Sequence, residues 1–187
     1  MDHRTSWVRR VAGGGRTVFV KSYEYATWRA RFGNWGRWTA PLRASRPARE
    51  AKALQWLAEH GLPSARPLLV AEWRVAGFLE RATLVTAACD GAPADRWLAE
   101  QDAGDRRAGV AAIRSFVDEL HRLGFRDRNL DLRNLLVRRL PDGELQVRKI
   151  DSPRFVLTRP GRADDRLARA DRERLEPQLR AFDDAAR

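Results

Sequence analysis

The chain has 187 residues, 43% of them hydrophobic, which suffices for one ordinary domain or two small lobes with a real core. Cys89 is the single cysteine and His3, His60 and His121 are scattered, so an intrachain disulfide, a thiolate cluster and zinc-ligand spacing are excluded. The formal charge of +11 comes almost wholly from arginine, since Lys21, Lys52 and Lys149 are the only lysines; together with abundant alanine this reads first as compositional bias and a solvated surface, and second as attraction for anionic partners.

From the start, Met1-Asp2-His3-Arg4 leads into no apolar signal region, and no apolar run of roughly 18 residues is present to span a bilayer. The expectation is a cytoplasmic protein, with association at the inner face of the inner membrane left open. Residues 7–11 and 17–20 favour strands around Gly13, Gly14 and Gly15, a hairpin with a glycine-rich turn that ends at Lys21. Residues 31–48 read as a loop with two exposed indoles, Trp35 and Trp38. A helix from about Pro47 to His60 stops at Gly61 and Pro63, and it carries Glu50, Leu54, Leu57 and Ala58 on one stripe. A carboxylate on a buried stripe needs a cation, and Lys21 is the candidate.

Three β-like pieces follow, at 68–72, 77–79 and 82–86, the last leading from Thr86 through Ala87 and Ala88 into Cys89-Asp90-Gly91. That small-residue stretch suits a hinge between two lobes, where an adenine meets backbone groups at Thr86 and Ala88. A second amphipathic helix begins near Ala108 and ends at Gly124, with Ile113, Phe116, Val117, Leu120 and Leu123 along it. Strands at 135–139 and 145–150 flank Pro141-Asp142-Gly143, which sets Asn134 and Asp151 at the same end of a hairpin. The tail, 162–182, is periodic enough for one or two helices.

In order, then, the chain offers a strand lysine, a helix glutamate 29 residues later, a polar loop ending in Asn134, and Asp151 across a hairpin. Lysine neutralises nucleotide phosphates, and an amide oxygen with a carboxylate makes a hard-oxygen pair suited to magnesium. The set predicts an α+β, two-lobed, protein-kinase-like fold, with a β-rich small lobe over 1–87 and a mostly helical large lobe over 88–187. In such folds the nucleotide-covering loop precedes the strand before the lysine strand, so Gly13 to Gly15 read as the link between those two strands. The covering strand is then missing, rudimentary or upstream of Met1.

The segments "VFVKSYEY", "SRPAREAKALQWLAEHGLPSARPL", "LHRLGF", "NLDLRNLLV" and "VRKID" resemble those of the lipopolysaccharide core (Kdo/heptose) kinases, over about Val18 to Leu179. The resemblance implies ATP and magnesium as cofactors, Lys21 on the nucleotide phosphates with Glu50 holding it, and Asn134 and Asp151 as metal ligands. It implies a sugar hydroxyl as acceptor, on an anionic glycan or glycolipid. No nucleic-acid-binding motif is found, and no specific nucleic acid is expected. One position departs from the family's His-x-Asp, because here the chain reads Asp127-Arg128-Asn129. An amide cannot accept the hydroxyl proton; Asp131 is the nearest following acid and a candidate displaced base, and Asp127 takes the structural place of the family's histidine. The alternative is a nucleotide-binding pseudokinase acting as scaffold or regulator.

Overall fold

The computed structural model describes residues 6–162 and 164–184. The chain divides into two compact units, one formed by Met1–Gln55 with Ala65–Ala88 and the other by Trp56–Ser64 with Cys89–Arg187.

The first unit is built on an antiparallel sheet of strands β1 (Ser6–Gly13), β2 (Arg16–Glu24), β3 (Pro67–Val75) and β4 (Phe78–Ala87), ordered β1-β2-β4-β3. Both hairpins close through two residues of positive φ, Gly14 (57°) with Gly15 (72°) and Ala76 (50°) with Gly77 (82°), the geometry whose twist matches flanking strands. The second and third expected pieces thus merge into the single strand β4. Residues 31–48 are also more ordered than a loop: α1 spans Trp28–Gly33, and a π-helical turn covers Trp35–Thr39. Trp38 is half-buried against the cluster of Tyr23, Tyr25, Leu79 and Ala82, so only Trp35 of the two indoles is exposed.

Helix α2 (Arg46–Glu59) starts at Ser45, whose hydroxyl accepts the Ala48 amide at 3.2 Å. It ends in a Schellman arrangement, with Leu62 N–H on the Leu57 carbonyl, Gly61 N–H on the Ala58 carbonyl, and Gly61 at φ 73°. Its buried stripe is Glu50, Ala53, Leu54 and Leu57; Ala58 lies exposed instead.

The second unit holds β5 (Ala92–Pro93), α3 (Ala94–Glu100) and α4 (Ala103–Arg122), then β6 (Phe125–Asp127), β7 (Leu135–Arg139), β8 (Leu145–Lys149), β9 (Phe155–Leu157) and α5 (Arg166–Asp184). Sheets form as β5-β7-β8 and β6-β9. Asp102 caps α4 by accepting the Asp105 amide at 2.9 Å, so the helix begins five residues before Ala108. Gly124, at φ 89°, turns the chain from α4 into β6 where an added Cβ would meet the Thr158 carbonyl oxygen at 2.4 Å. The tail is one helix that runs through Pro177.

Candidate active site

In the first unit, β2 delivers Lys21 and the first turns of α2 deliver Glu50. Lys21 Nζ lies 3.0 Å from Glu50 Oε2 and 3.2 Å from Oε1. The two ends of this pair differ in access: the Glu50 side chain is 2% exposed and that of Lys21 is 20% exposed. A bidentate carboxylate of this kind fixes an ammonium at one place while leaving part of it accessible to an anion.

The strand end expected to meet adenine is arranged differently. Thr86 sits in register between Phe19 and Pro67, and the Ala88 amide donates to the Thr17 carbonyl at 3.0 Å. That bond commits the Ala88 N–H to extending the sheet.

In the second unit, the hairpin of β7 and β8 brings the ends of the loop together. Asn129 Nδ2 donates to Asp151 Oδ2 at 3.1 Å, and Asn134 Nδ2 donates to the Asn129 carbonyl at 2.9 Å. With its amide nitrogen donating to the Asn129 carbonyl, Asn134 has its side-chain oxygen as an acceptor. Beneath this pair lies Lys149, fully buried, whose ammonium contacts Asp127 Oδ2 at 2.9 Å and donates to the carbonyls of Asp151 and Asn134. Its ammonium therefore ties together the Asp127 carboxylate and the backbone at Asn134 and Asp151. Asp127 is itself 1% exposed and accepts the Asn129 amide at 2.9 Å and the Ser152 hydroxyl at 3.2 Å. Its own amide donates to Asp171 Oδ2 at 2.8 Å, and His121 Nε2 stands 3.4 Å from the same oxygen.

Asp131 is turned to a different task. Its carboxylate caps the short 3₁₀ turn Leu132–Asn134 by accepting the Arg133 amide at 3.0 Å, and the Arg133 guanidinium grips both its oxygens at 3.0 and 3.1 Å. Hydrogen bonding to Arg133 holds its pKa below the ordinary carboxylate value.

Among the described residues no three His, Cys, Asp or Glu side chains gather as a metal cluster. Magnesium does not require one, because it keeps several waters and is held by one or two protein oxygens with substrate phosphates. The Asn134 side-chain oxygen and the Asp151 carboxylate, both hard donors, fit that demand in kind. Sequence reasoning missed Lys149, Ser152 and Asp171. A signal was present for Lys149, which shares the inward face of β8 with Val147, and a lysine on a buried face implies a buried anion.

No curated protein gives a significant sequence match. Among solved structures, WaaP in complex with acyl carrier protein is similar at a TM-score of 0.64 and 15% identity, over 99% of this chain and 77% of that one. This gives the kinase-like α+β fold that the sequence led us to expect. The model of the lipopolysaccharide kinase (Kdo/WaaP) family matches residues 3–182, and the chain belongs to that family.

Proposed function

We propose that the chain transfers the γ-phosphoryl group of ATP to a sugar hydroxyl of lipopolysaccharide core. Family membership supports ATP as donor and lipopolysaccharide as acceptor. What supports the reading at particular residues is, in the first unit, an accessible, carboxylate-held Lys21 and, in the second, a hairpin whose ends Asn134 and Asp151 are joined through Asn129 in one hydrogen-bonded network. In this reading Lys21 binds nucleotide phosphates, Glu50 positions Lys21, and Asn134 with Asp151 hold magnesium. Bound magnesium supplies charge neutralisation on the transferring phosphoryl group.

The loop acids take supporting roles. Asp127 is committed to Lys149 and Ser152, Asp131 to Arg133, and Asn129 to the orientation of Asp151. Phosphoryl transfer of the loose type depends chiefly on alignment and charge, with little proton removal before the transition state. We therefore assign catalysis to positioning and electrostatics, with the hydroxyl proton passing to water. Exposed arginines suit an anionic glycan or glycolipid acceptor, because a planar guanidinium binds phosphate in a bidentate manner. A cytoplasmic site of action accords with this donor and acceptor; no helix among the described residues is long and apolar enough to cross a membrane.

The test is transfer of radiolabelled phosphate from ATP to purified lipopolysaccharide core, by wild type and Asp151→Asn, with calorimetric titration of magnesium-ATP on both. Transfer by wild type that Asp151→Asn loses is the expected result. The second reading, a nucleotide-binding pseudokinase, is favoured by Asn129 alone. It gains the field if wild type binds magnesium-ATP but transfers nothing and Asn129→Asp restores transfer.

A further inference from the structure

The first unit carries an aromatic cluster that its core does not absorb. Trp28, Phe32 and Trp35 are 49%, 59% and 42% exposed. Around Phe78 they form one connected patch, with ring centroids 4.9 Å apart for Trp35 and Phe78, 5.2 Å for Trp28 and Phe78, and 5.8 Å for Phe32 and Phe78. The patch stands on a rigid base. Arg31 is buried beneath it, donating from Nε to the Tyr25 carbonyl at 2.8 Å and from Nη2 to Glu80 at 2.9 Å. The Thr39 hydroxyl and the Asn34 amide close the turn onto the Arg31 and Ala30 carbonyls.

Beside it, Arg74 pins the next loop to the end of the β3–β4 hairpin, donating to the carbonyls of Ala40, Gly77 and Arg43. On that loop Leu42 is 102% exposed at φ 61°, a left-handed conformation that costs a branched apolar residue energy and that Asn or Gly adopts freely.

Charge completes the pattern. From Ala26 to Arg49 the sequence has six arginines and no acid, and Arg29, Arg37 and Arg43 are exposed. The nearby acids Glu72 and Glu80 are engaged by Arg74 and Arg31.

From these features we infer that this patch seats in the interfacial zone of an anionic lipid bilayer, with the indoles at headgroup depth, Leu42 inserted, and the arginines on lipid phosphates. Tryptophan with arginine is the composition that partitions to that zone. A protruding aliphatic tip suits a fluid surface better than a preformed pocket. The inference is independent of the activity proposed above.

The test is co-sedimentation of the full chain with vesicles of phosphatidylglycerol mixed equally with phosphatidylcholine, against phosphatidylcholine alone. We expect binding to the mixed vesicles that weakens with salt. Leu42→Asn relieves the strained φ and so keeps the fold, while lowering partitioning about tenfold. Arg37→Glu with Arg43→Glu should lower it at least about tenfold. Failure of wild type to sediment with the mixed vesicles overturns the inference, as does unchanged partitioning of Leu42→Asn or of Arg37→Glu with Arg43→Glu. A dimer on gel filtration that Leu42→Asn dissolves, without vesicle binding, would assign the patch to a second copy of the chain.

Discussion

Two of the three lysines in this chain make ion pairs across elements, and the two pairs are built to different ends. Lys149 is sealed: its side chain is fully buried, and its contacts are the Asp127 carboxylate and two backbone carbonyls. Lys21 meets a carboxylate as deeply buried, Glu50, yet keeps a fifth of its own side chain exposed. The physical chemistry separates them. A fully enclosed pair is expensive to desolvate and costly to break, so it serves to hold parts in register. A pair with one accessible member keeps a cation oriented for a further anion at less cost. Within one chain the same residue type thus serves as a clamp in one unit and, in our proposal, as a phosphate contact in the other.

The largest effect should come from opening the sealed pair. Lys149→Met leaves the Asp127 carboxylate buried without its cation and should destabilise the protein by about 3–5 kcal/mol. It reads as a lower urea midpoint at an unchanged slope. Adding Asp127→Asn removes the stranded charge while keeping an acceptor for the Asn129 amide, and should recover part of the loss. If Lys149→Met unfolds at the wild-type midpoint, the clamp assignment is wrong.

Lys21→Met should reverse the balance between stability and turnover. Water reaches the Lys21 end of the pair, so its stability cost should fall below that of Lys149→Met. Phosphate transfer should drop by about 10²–10³-fold, the scale of losing one preorganised charge at a developing anion. Transfer within about threefold of wild type at saturating magnesium-ATP would remove Lys21 from the proposed site.

A third pair gives the comparison a pH axis. Arg126 is fully buried, and its guanidinium beside Asp165 is the main cause that holds the Asp165 carboxyl at about 2. The folded value lies below the ordinary 3.8, so this stabilisation is complete above about pH 4 and is lost as pH falls from there towards 2. Asp165→Asn keeps an oxygen to accept the amides of Leu167 and Ala168 but loses the charge. It should cost about 1–3 kcal/mol at neutral pH and flatten the acid limb of the stability profile. An acid limb as steep as wild type would show that other carboxylates control it.

These pairs also show what the sequence could and could not reveal. Lys21 and Glu50 were legible because each violates its surroundings, a charge ending an apolar strand and a charge on an apolar helical stripe. The hairpin that joins Asn134 to Asp151 was legible from Pro141-Asp142-Gly143 between two apolar runs. Strands β5, β6 and β9 were not, since two or three residues carry no period and owe their form to partners distant in sequence, such as Phe125 with Leu157. Helix α3 is too short to declare itself, and α1 lies in a run of Gly and Trp that reads as loop. The use of the Ala88 amide was invisible for the same reason, because its acceptor, Thr17, lies on another strand.

The smallest effect is expected where sequence reasoning placed a displaced base. Asp131 lies two residues past the Asn129 position, and its carboxylate is engaged by the amide and guanidinium of Arg133. Hydrogen bonding to Arg133 lowers its pKa, which weakens it further as a proton acceptor near neutrality. Asparagine caps a helical turn about as well as aspartate, so Asp131→Asn preserves the 3₁₀ turn that leads into Asn134. We therefore expect turnover within about threefold of wild type, set against the 10²–10⁴-fold loss that removal of a general base would bring. Radiolabelled transfer over a range of pH distinguishes the two outcomes. A loss of that larger size with magnesium-ATP affinity kept would make Asp131 the base, and would require Arg133 to release it when the acceptor binds.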